Sequence, residues 1–399
     1  MSAHIERWFV PPRNVFGWGA AQATGRQIRG LEGSPDRALL VTDEGVRGAG
    51  VLDPVLESLE EAGIEYELFD ETVPDPTGTV VETAAERFES TAADVMVAVG
   101  GGSSIDTAKA AAAMTTNEGS IFDYAGLNEV PNPTPPLAIL PTTAGTGSEV
   151  TNWSVIRNEE DDVKYSIGDP HLLADLSIVD PSLTESVPAP IAAATGMDAL
   201  THAIEAYVSI HRQSQTSALA LDSIEKIGTF LPRAVDRRGS DREALTAMAK
   251  ASNQAGTAFN GAGLGAVHAL SHQVGAAFRV PHGLANAVLL PYAMEYNLLQ
   301  VPEELVDVAE ALGESVDRSA PARLEGYKAV RAVRRLCDDV DIPRTLEGVD
   351  ADRDAIPDLA AQGLSDGSLV GNPRQTDAED LGAILERAFD GDLEYESVL

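Results

Sequence analysis

Four of the seven histidines in this 399-residue chain lie in apolar, small-residue sequence in its second half. They are His202, four residues after Asp198, then His268, His272 and His282, the last set between Pro281 and Gly283. On a helix, side chains four residues apart stand about 6 Å from one another on one face, close enough to share a cation. The pairs Asp198/His202 and His268/His272 are therefore both ready to bind metal. Imidazoles with a carboxylate suit iron or zinc and poorly suit calcium or magnesium. An ordinary hydrogen-bonded histidine accounts for any one of these residues. It accounts less well for all of them, since unpaired carboxylates and imidazoles are costly in apolar surroundings. His4, His171 and His211 sit in polar or turn-like contexts and read as surface residues.

A second chemistry belongs to the first half. The apolar run 95–99 leads into Gly100, Gly101, Gly102 and Ser103 and then an alanine-rich helical stretch. Glycines at such a turn let backbone approach a pyrophosphate, and the helix N-terminus favours its charge. A tight structural turn is the alternative, and the pattern is neither a P-loop nor the usual dinucleotide fingerprint. After the run 137–140 comes a loop of hydroxyls and small residues with Thr142, Thr143 and Thr146, suited to phosphate or ribose. Asp43 closes the first apolar run, where a carboxylate can bond a ribose diol and repel a 2'-phosphate, favouring NAD over NADP. A helix N-cap explains Asp43 equally well.

The elements that must hold these groups divide the chain. Residues 1–185 alternate apolar runs at 38–42, 66–69, 95–99, 137–140 and 177–179 with helical stretches such as 52–62 and 80–90. That alternation predicts a parallel, Rossmann-like α/β domain that binds the dinucleotide. Residues 186–399 turn to long Ala- and Leu-rich stretches with helical periodicity, including 192–209, 216–230, 242–258 and 302–312. A helical metal-binding and catalytic domain is expected there, after a proline-flanked turn at 180–188.

Composition narrows the partners. A single cysteine, Cys337, excludes an internal disulfide and any cysteine-based metal site, so the metal must take nitrogen and oxygen ligands. Sixty-three acidic against 28 basic residues give a net charge of −35, and only five basic residues are lysines. Nucleic acid and anionic membranes are poor partners for such a chain. Dispersed acid with little lysine resembles proteins of extreme halophiles. No long apolar run and no signal-peptide pattern appears, which predicts a soluble, cytoplasmic protein.

The segments 100–106, 141–149, 194–205 and 263–287, in this order and spacing, resemble the iron-containing (group III) alcohol dehydrogenase family across nearly the whole chain. The resemblance implies a dehydroquinate synthase-like fold, with the α/β domain followed by the helical one. It implies Asp198, His202, His268 and His282 as ligands of Fe(II), with zinc also compatible, and leaves His272 beside the nicotinamide as the catalytic proton relay. Spacing alone does not choose between His268 and His272. It implies cofactor contacts at Asp43, Asp75, Gly101, Gly102, Ser103, Thr142, Thr143, Thr146 and Lys164, although Asp75 stands where asparagine is common. Phe259 falls where the family lines its substrate pocket, and a core aromatic is the alternative. The implied reaction is hydride transfer between a small alcohol and NAD, with NADP also open, giving an aldehyde or ketone in a homodimer or larger homo-oligomer. Glycerol-type dehydrogenases, maleylacetate reductases and the dehydroquinate synthase-like lyases share the scaffold and are the alternatives.

Overall fold

The computed structural model of the chain describes residues 8–160, 163–237 and 239–393. They fall into two compact units, residues 8–187 and residues from Pro188 onward. His4 lies outside the described residues.

The first unit carries nine strands: β1 (Arg13–Phe16), β2 (Arg37–Val41), β3 (Glu65–Phe69), β4 (Val95–Gly100), β5 (Gly126–Leu127), β6 (Leu137–Pro141), β7 (Trp153–Asn158), β8 (Val163–Gly168) and β9 (Leu176–Val179). Six form one sheet in the order β1-β9-β6-β4-β2-β3, with every pairing parallel. The central strands are apolar along their whole length because helices cover both faces. Leu39, Val41, Met96, Ala98, Leu137 and Ile139 point into one core, with helices Gly78–Ser90 and Gly102–Met114. Ala38, Leu40, Val95, Val97, Val99 and Leu140 point into the other, against helix Asp53–Glu61. The period-two alternation of side chains thus builds two cores from one set of strands.

Each apolar run of the sequence became a strand, four of them longer by one residue and the run 38–42 shifted to 37–41. The expectations lacked β1 and the small sheet β5-β8-β7. Strands β1, β7 and β8 carry polar residues along their length, and β5 is only two residues long.

The described residues of the second unit are helical between their turns. The Ala189–Val208 helix is buried along nearly all of its second half and packs against helices Ser214–Asp236, Arg242–Ala262 and His282–Asn297. The Ala266–Phe278 helix runs beside His282–Asn297. Among the described residues, no helix is long and apolar enough to cross a membrane.

Candidate metal centre and cofactor loops

Three helices supply the centre. Asp198 and His202 come from one face of Ala189–Val208, His268 from the first turn of Ala266–Phe278, and His282 opens His282–Asn297. One donor atom from each of the four lies within 4.8 Å of the others. Asp198 Oδ1 stands 3.9 Å from His202 Nε2, 4.0 Å from His268 Nε2 and 3.6 Å from His282 Nε2. Ligands about 2.1 Å from one cation would be about 3.4 Å apart in a tetrahedron, so the set needs only slight contraction to close on an ion. Close helix approach makes this possible: a Cβ at Gly283 would lie 2.5 Å from the Ala194 carbonyl oxygen and 3.1 Å from Asp198 Cβ.

The donors fit a cation on chemical grounds as well. The Asn286 amide nitrogen sits 2.7 Å from Asp198 Oδ1 and 3.1 Å from both His268 Nε2 and His282 Nε2. With the imidazole protons on Nδ1, its two N–H groups face three acceptors, and lone pairs are in surplus at the point where they converge. The buried Asn286 Oδ1 has no hydrogen-bond partner among the described residues. Asp198 and Glu205 are both buried, and among the described residues neither pairs with Lys or Arg. Two buried carboxylates without a basic partner match the charge of one divalent ion.

Around the ligands, each imidazole has a defined environment. Burial, reinforced by His202, His282 and His272, holds His268 well below the usual histidine range. Its Nδ1 lies 2.6 Å from Glu205 Oε2. With no cation in place, burial pushes the Glu205 carboxyl up to about 8, opposed by hydrogen bonds from the backbone at Val267, Gly265 and His268; a divalent ion beyond His268 would favour its carboxylate form. The Phe259 ring stacks on His202 at 4.4 Å between centroids and forms an apolar wall beside the ligands. His272 stands apart from the four-donor set. It stacks on His282 at 5.3 Å, and its Nδ1 is 2.9 Å from Asp366 Oδ2. Half-buried His171 and exposed His211 take no part.

In the first unit seven of the nine expected cofactor residues gather at the carboxyl ends of the parallel strands, while Lys164 lies on β8 of the small sheet and pairs with Asp75. Asp43 follows β2, Gly101–Ser103 follow β4, and Thr142–Thr146 follow β6. The chain leaves β2 toward β3 on one side and leaves β4 toward β6 on the other, so β2 and β4 flank the switch point where such sheets bind ligands. Gly101 begins the Gly102–Met114 helix with no side-chain cap, which leaves its first amides to an anion. The two loops pack together, since a Cβ on Gly102 would come within 2.9 Å of Thr146 Cγ2. Lys109, fully buried, donates to the carbonyls of Ser148, Thr151 and Trp153 and fixes the chain that follows the second loop.

Asp43 does cap a helix, accepting from Val46 N at 2.9 Å, while its other oxygen accepts from Ser104 Oγ at 3.3 Å. Asp75 and Lys164 form an ion pair of 2.5 Å. Asp75 has φ of 53°, a conformation that asparagine and aspartate both tolerate. That shared tolerance gives a physical reason for aspartate to stand in an asparagine position.

Sequence reasoning did not single out Glu205, Asn286 or Asp366. The first two carried a signal: Glu205 is seven residues beyond Asp198 and Asn286 four beyond His282, each on the ligand face of its helix. Asp366 lies 94 residues from His272 and had none.

Comparison with known proteins agrees with this geometry. The family model described as "Iron-containing alcohol dehydrogenase" matches residues 11–181, and "Fe-containing alcohol dehydrogenase family, C-terminal" matches 192–389. The chain is 42% identical over 392 residues to a 1,3-propanediol dehydrogenase of Klebsiella pneumoniae, covering 98% of this chain and 100% of that one. It is 38% identical to an NAD-dependent methanol dehydrogenase of Bacillus methanolicus, with 96% and 100% covered. The crystal structure of a 1,3-propanediol oxidoreductase superposes with a TM-score of 0.94 at 41% identity, covering 97% of this chain and 100% of that one. The chain belongs to the iron-containing alcohol dehydrogenase family, and its chemistry is alcohol oxidoreduction.

Proposed function

We propose that this chain oxidises small, uncharged primary alcohols, and reduces the matching aldehydes, with NAD as hydride carrier. Asp198, His202, His268 and His282 are assigned as the ligands of Fe(II) or zinc. The observation that carries the assignment is the convergence of these four donors, from three helices, with lone pairs in surplus. A cation held there supplies Lewis acidity toward an alcohol or carbonyl oxygen. Phe259 provides an apolar wall next to His202.

His272, tied through Nδ1 to Asp366, would take the alcohol proton at Nε2, and a bound nicotinamide would supply the hydride acceptor. Asp43, Asp75, Gly101, Gly102, Ser103, Thr142, Thr143, Thr146 and Lys164 are assigned to the dinucleotide. The uncapped helix start at Gly101 would hold the pyrophosphate and Asp43 the ribose. The methanol dehydrogenase named above is NAD-dependent and the propanediol enzyme acts on a small diol, which supports both choices. The acidic, lysine-poor composition supports a salt-rich cytoplasm as the working environment, and a homodimer or larger homo-oligomer is the proposed assembly.

The test is a substrate panel at high salt on protein reconstituted anaerobically with Fe(II) and separately with zinc, following reduced-nicotinamide absorbance with NAD and NADP. Turnover of short primary alcohols with NAD is expected. Binding of NAD without net reduction by any alcohol would instead indicate the lyase chemistry of the same scaffold.

A further inference from the structure

We propose that Glu205 is a positioning residue of the metal centre: its carboxylate holds the Nδ1 proton of His268, so that the Nε2 lone pair faces the cation. The inference rests on the assignment of Asp198, His202, His268 and His282 as ligands.

Helical spacing creates the contact. Residues 198, 202 and 205 are at i, i+4 and i+7 of one helix and share a face, so the helix that carries two ligands also carries the carboxylate. Glu205 reaches from there to the start of the helix that carries a third ligand. One oxygen accepts the Val267 amide at 2.7 Å and the other lies 2.6 Å from His268 Nδ1. Asn372 Oδ1 accepts the preceding amide, Ala266 N, at 3.2 Å. The two side chains crowd the turn so closely that a Cβ at Gly265 would lie 3.0 Å from an oxygen of each. A single carboxylate therefore fixes both the backbone and the ring of His268.

The proton count gives the direction. A neutral imidazole carries one proton, and the nitrogen that bears it is set by the groups it faces. Nδ1 faces a carboxylate within bonding reach. Nε2 faces the Asn286 amide nitrogen at 3.1 Å, and its nearer metal-centre carboxylate, Asp198, stands at 4.0 Å, beyond hydrogen-bonding distance. The acceptor is on the Nδ1 side, so the lone pair is on the Nε2 side. Among the described residues Glu205 pairs with no Lys or Arg, and a cation beyond His268 would be its countercharge.

Glu205→Gln separates the ring contact from the helix cap. The amide oxygen still accepts from Val267, but the amide NH2 then faces Nδ1, which moves the imidazole proton to Nε2 and blocks the ligand lone pair. Cobalt(II) is the probe. Competition titration against a chelator is expected to show affinity weakened about ten- to hundredfold, with altered visible absorption, while thermal unfolding of the metal-free protein is unchanged. Wild-type affinity and spectrum in Glu205→Gln overturn the inference. Wild-type protein that binds no cobalt overturns the metal assignment itself, a distinguishable failure. If the variant does not fold, 15N-histidine NMR of the zinc-loaded wild type decides, with His268 identified by its loss in His268→Asn. A metal-bound Nε2 with protonated Nδ1 is expected, and a metal-bound Nδ1 overturns the proposal.

Discussion

His272 and Asp366 are joined across 94 residues by a 2.9 Å contact between Nδ1 and Oδ2, and the same carboxylate accepts from Gln273 Nε2 at 3.1 Å and the Ser368 side of its own turn. Desolvation raises the Asp366 carboxyl, but hydrogen bonding and charge from His272 outweigh it and hold it below the usual range. The pair orients an imidazole beside the ligand set without adding it to that set. His272→Ala should keep metal content and lower kcat by about 10²- to 10⁴-fold, the range for a lost acid–base group. Asp366→Asn should lower kcat less, since the ring remains. Metal analysis beside steady-state kinetics checks both, and metal loss in His272→Ala would make His272 a ligand.

Gly283 sets the spacing of the two helices that carry Asp198, His202 and His282. A methyl group at this position would lie only 2.5 Å from the Ala194 carbonyl oxygen, so Gly283→Ala must push His282–Asn297 away from Ala189–Val208. A strain of about 1–3 kcal/mol is expected from such overpacking, together with weakened cobalt(II) binding because His282 moves away from Asp198. Unchanged urea midpoint and unchanged cobalt affinity would show that the helices have slack here.

Lys109 is buried among carbonyl oxygens. Burial lowers its ammonium to about 8 against the opposing pull of Asp106 and Glu149. Lys109→Met removes the donor from the carbonyls of Ser148, Thr151 and Trp153 and the cation from Asp106, whose carboxyl burial raises to about 6. Unsatisfied buried acceptors cost about 1–3 kcal/mol each, partly offset by the relieved desolvation of the amine, so a net loss of about 2–4 kcal/mol is expected. Weaker NAD binding should accompany it, measured by calorimetry beside denaturant unfolding. Loss of stability with wild-type NAD affinity would separate the lysine from the cofactor loops.

Cys337 reports the integrity of the helical unit. Burial pushes its thiol from the ordinary 9.0 up to about 12. That rise makes the thiolate about a thousandfold scarcer at a given pH below 9, so a thiolate-specific reagent should label the native protein slowly and the urea-unfolded chain at once. The sign for stability follows. Between about 9 and 12 the unfolded thiol has lost its proton and the folded one has kept it, so this group's contribution is full below 9 and fades as pH rises. Rapid native labelling would place the thiol in contact with solvent.

Local spacing made the strongest parts of the site legible. Asp198 and His202 show themselves as a helical pair, and the Gly100–Ser103 turn shows itself because an apolar run precedes it and an alanine-rich helix follows. The central strands were equally plain, since burial on both faces leaves an unbroken apolar run. Edge strand β1 and the hairpin of β7 and β8 were not, because their exposed positions mix charge with apolar residues. The division between His268 and His272 was invisible for a different reason. Both sit one turn apart on a single helix, and what distinguishes them is the partner at Nδ1, Glu205 for one and Asp366 for the other. Those partners arrive through tertiary packing from 63 and 94 residues away.

Salt should govern the stability of the whole chain. Its net charge is −35, and some of its arginines are each shared by two carboxylates. Arg318 is shared by Asp307 and Glu310, and Arg353 by Glu386 and Asp390, each group retaining an excess negative charge. Exposed pairs of this kind add little stability alone, while the uncompensated acids repel one another across the surface. The screening length falls from about 30 Å at 0.01 M salt to about 3 Å at 1 M, which removes most of that repulsion. Tm should therefore rise steadily with KCl into the molar range, beyond the change given by sucrose at matched osmolality, which strengthens burial without screening charge. A Tm that is flat or falling above the first tenth-molar step would show that the acidic surface is tolerated at low salt, and would remove the argument for a salt-rich cytoplasm.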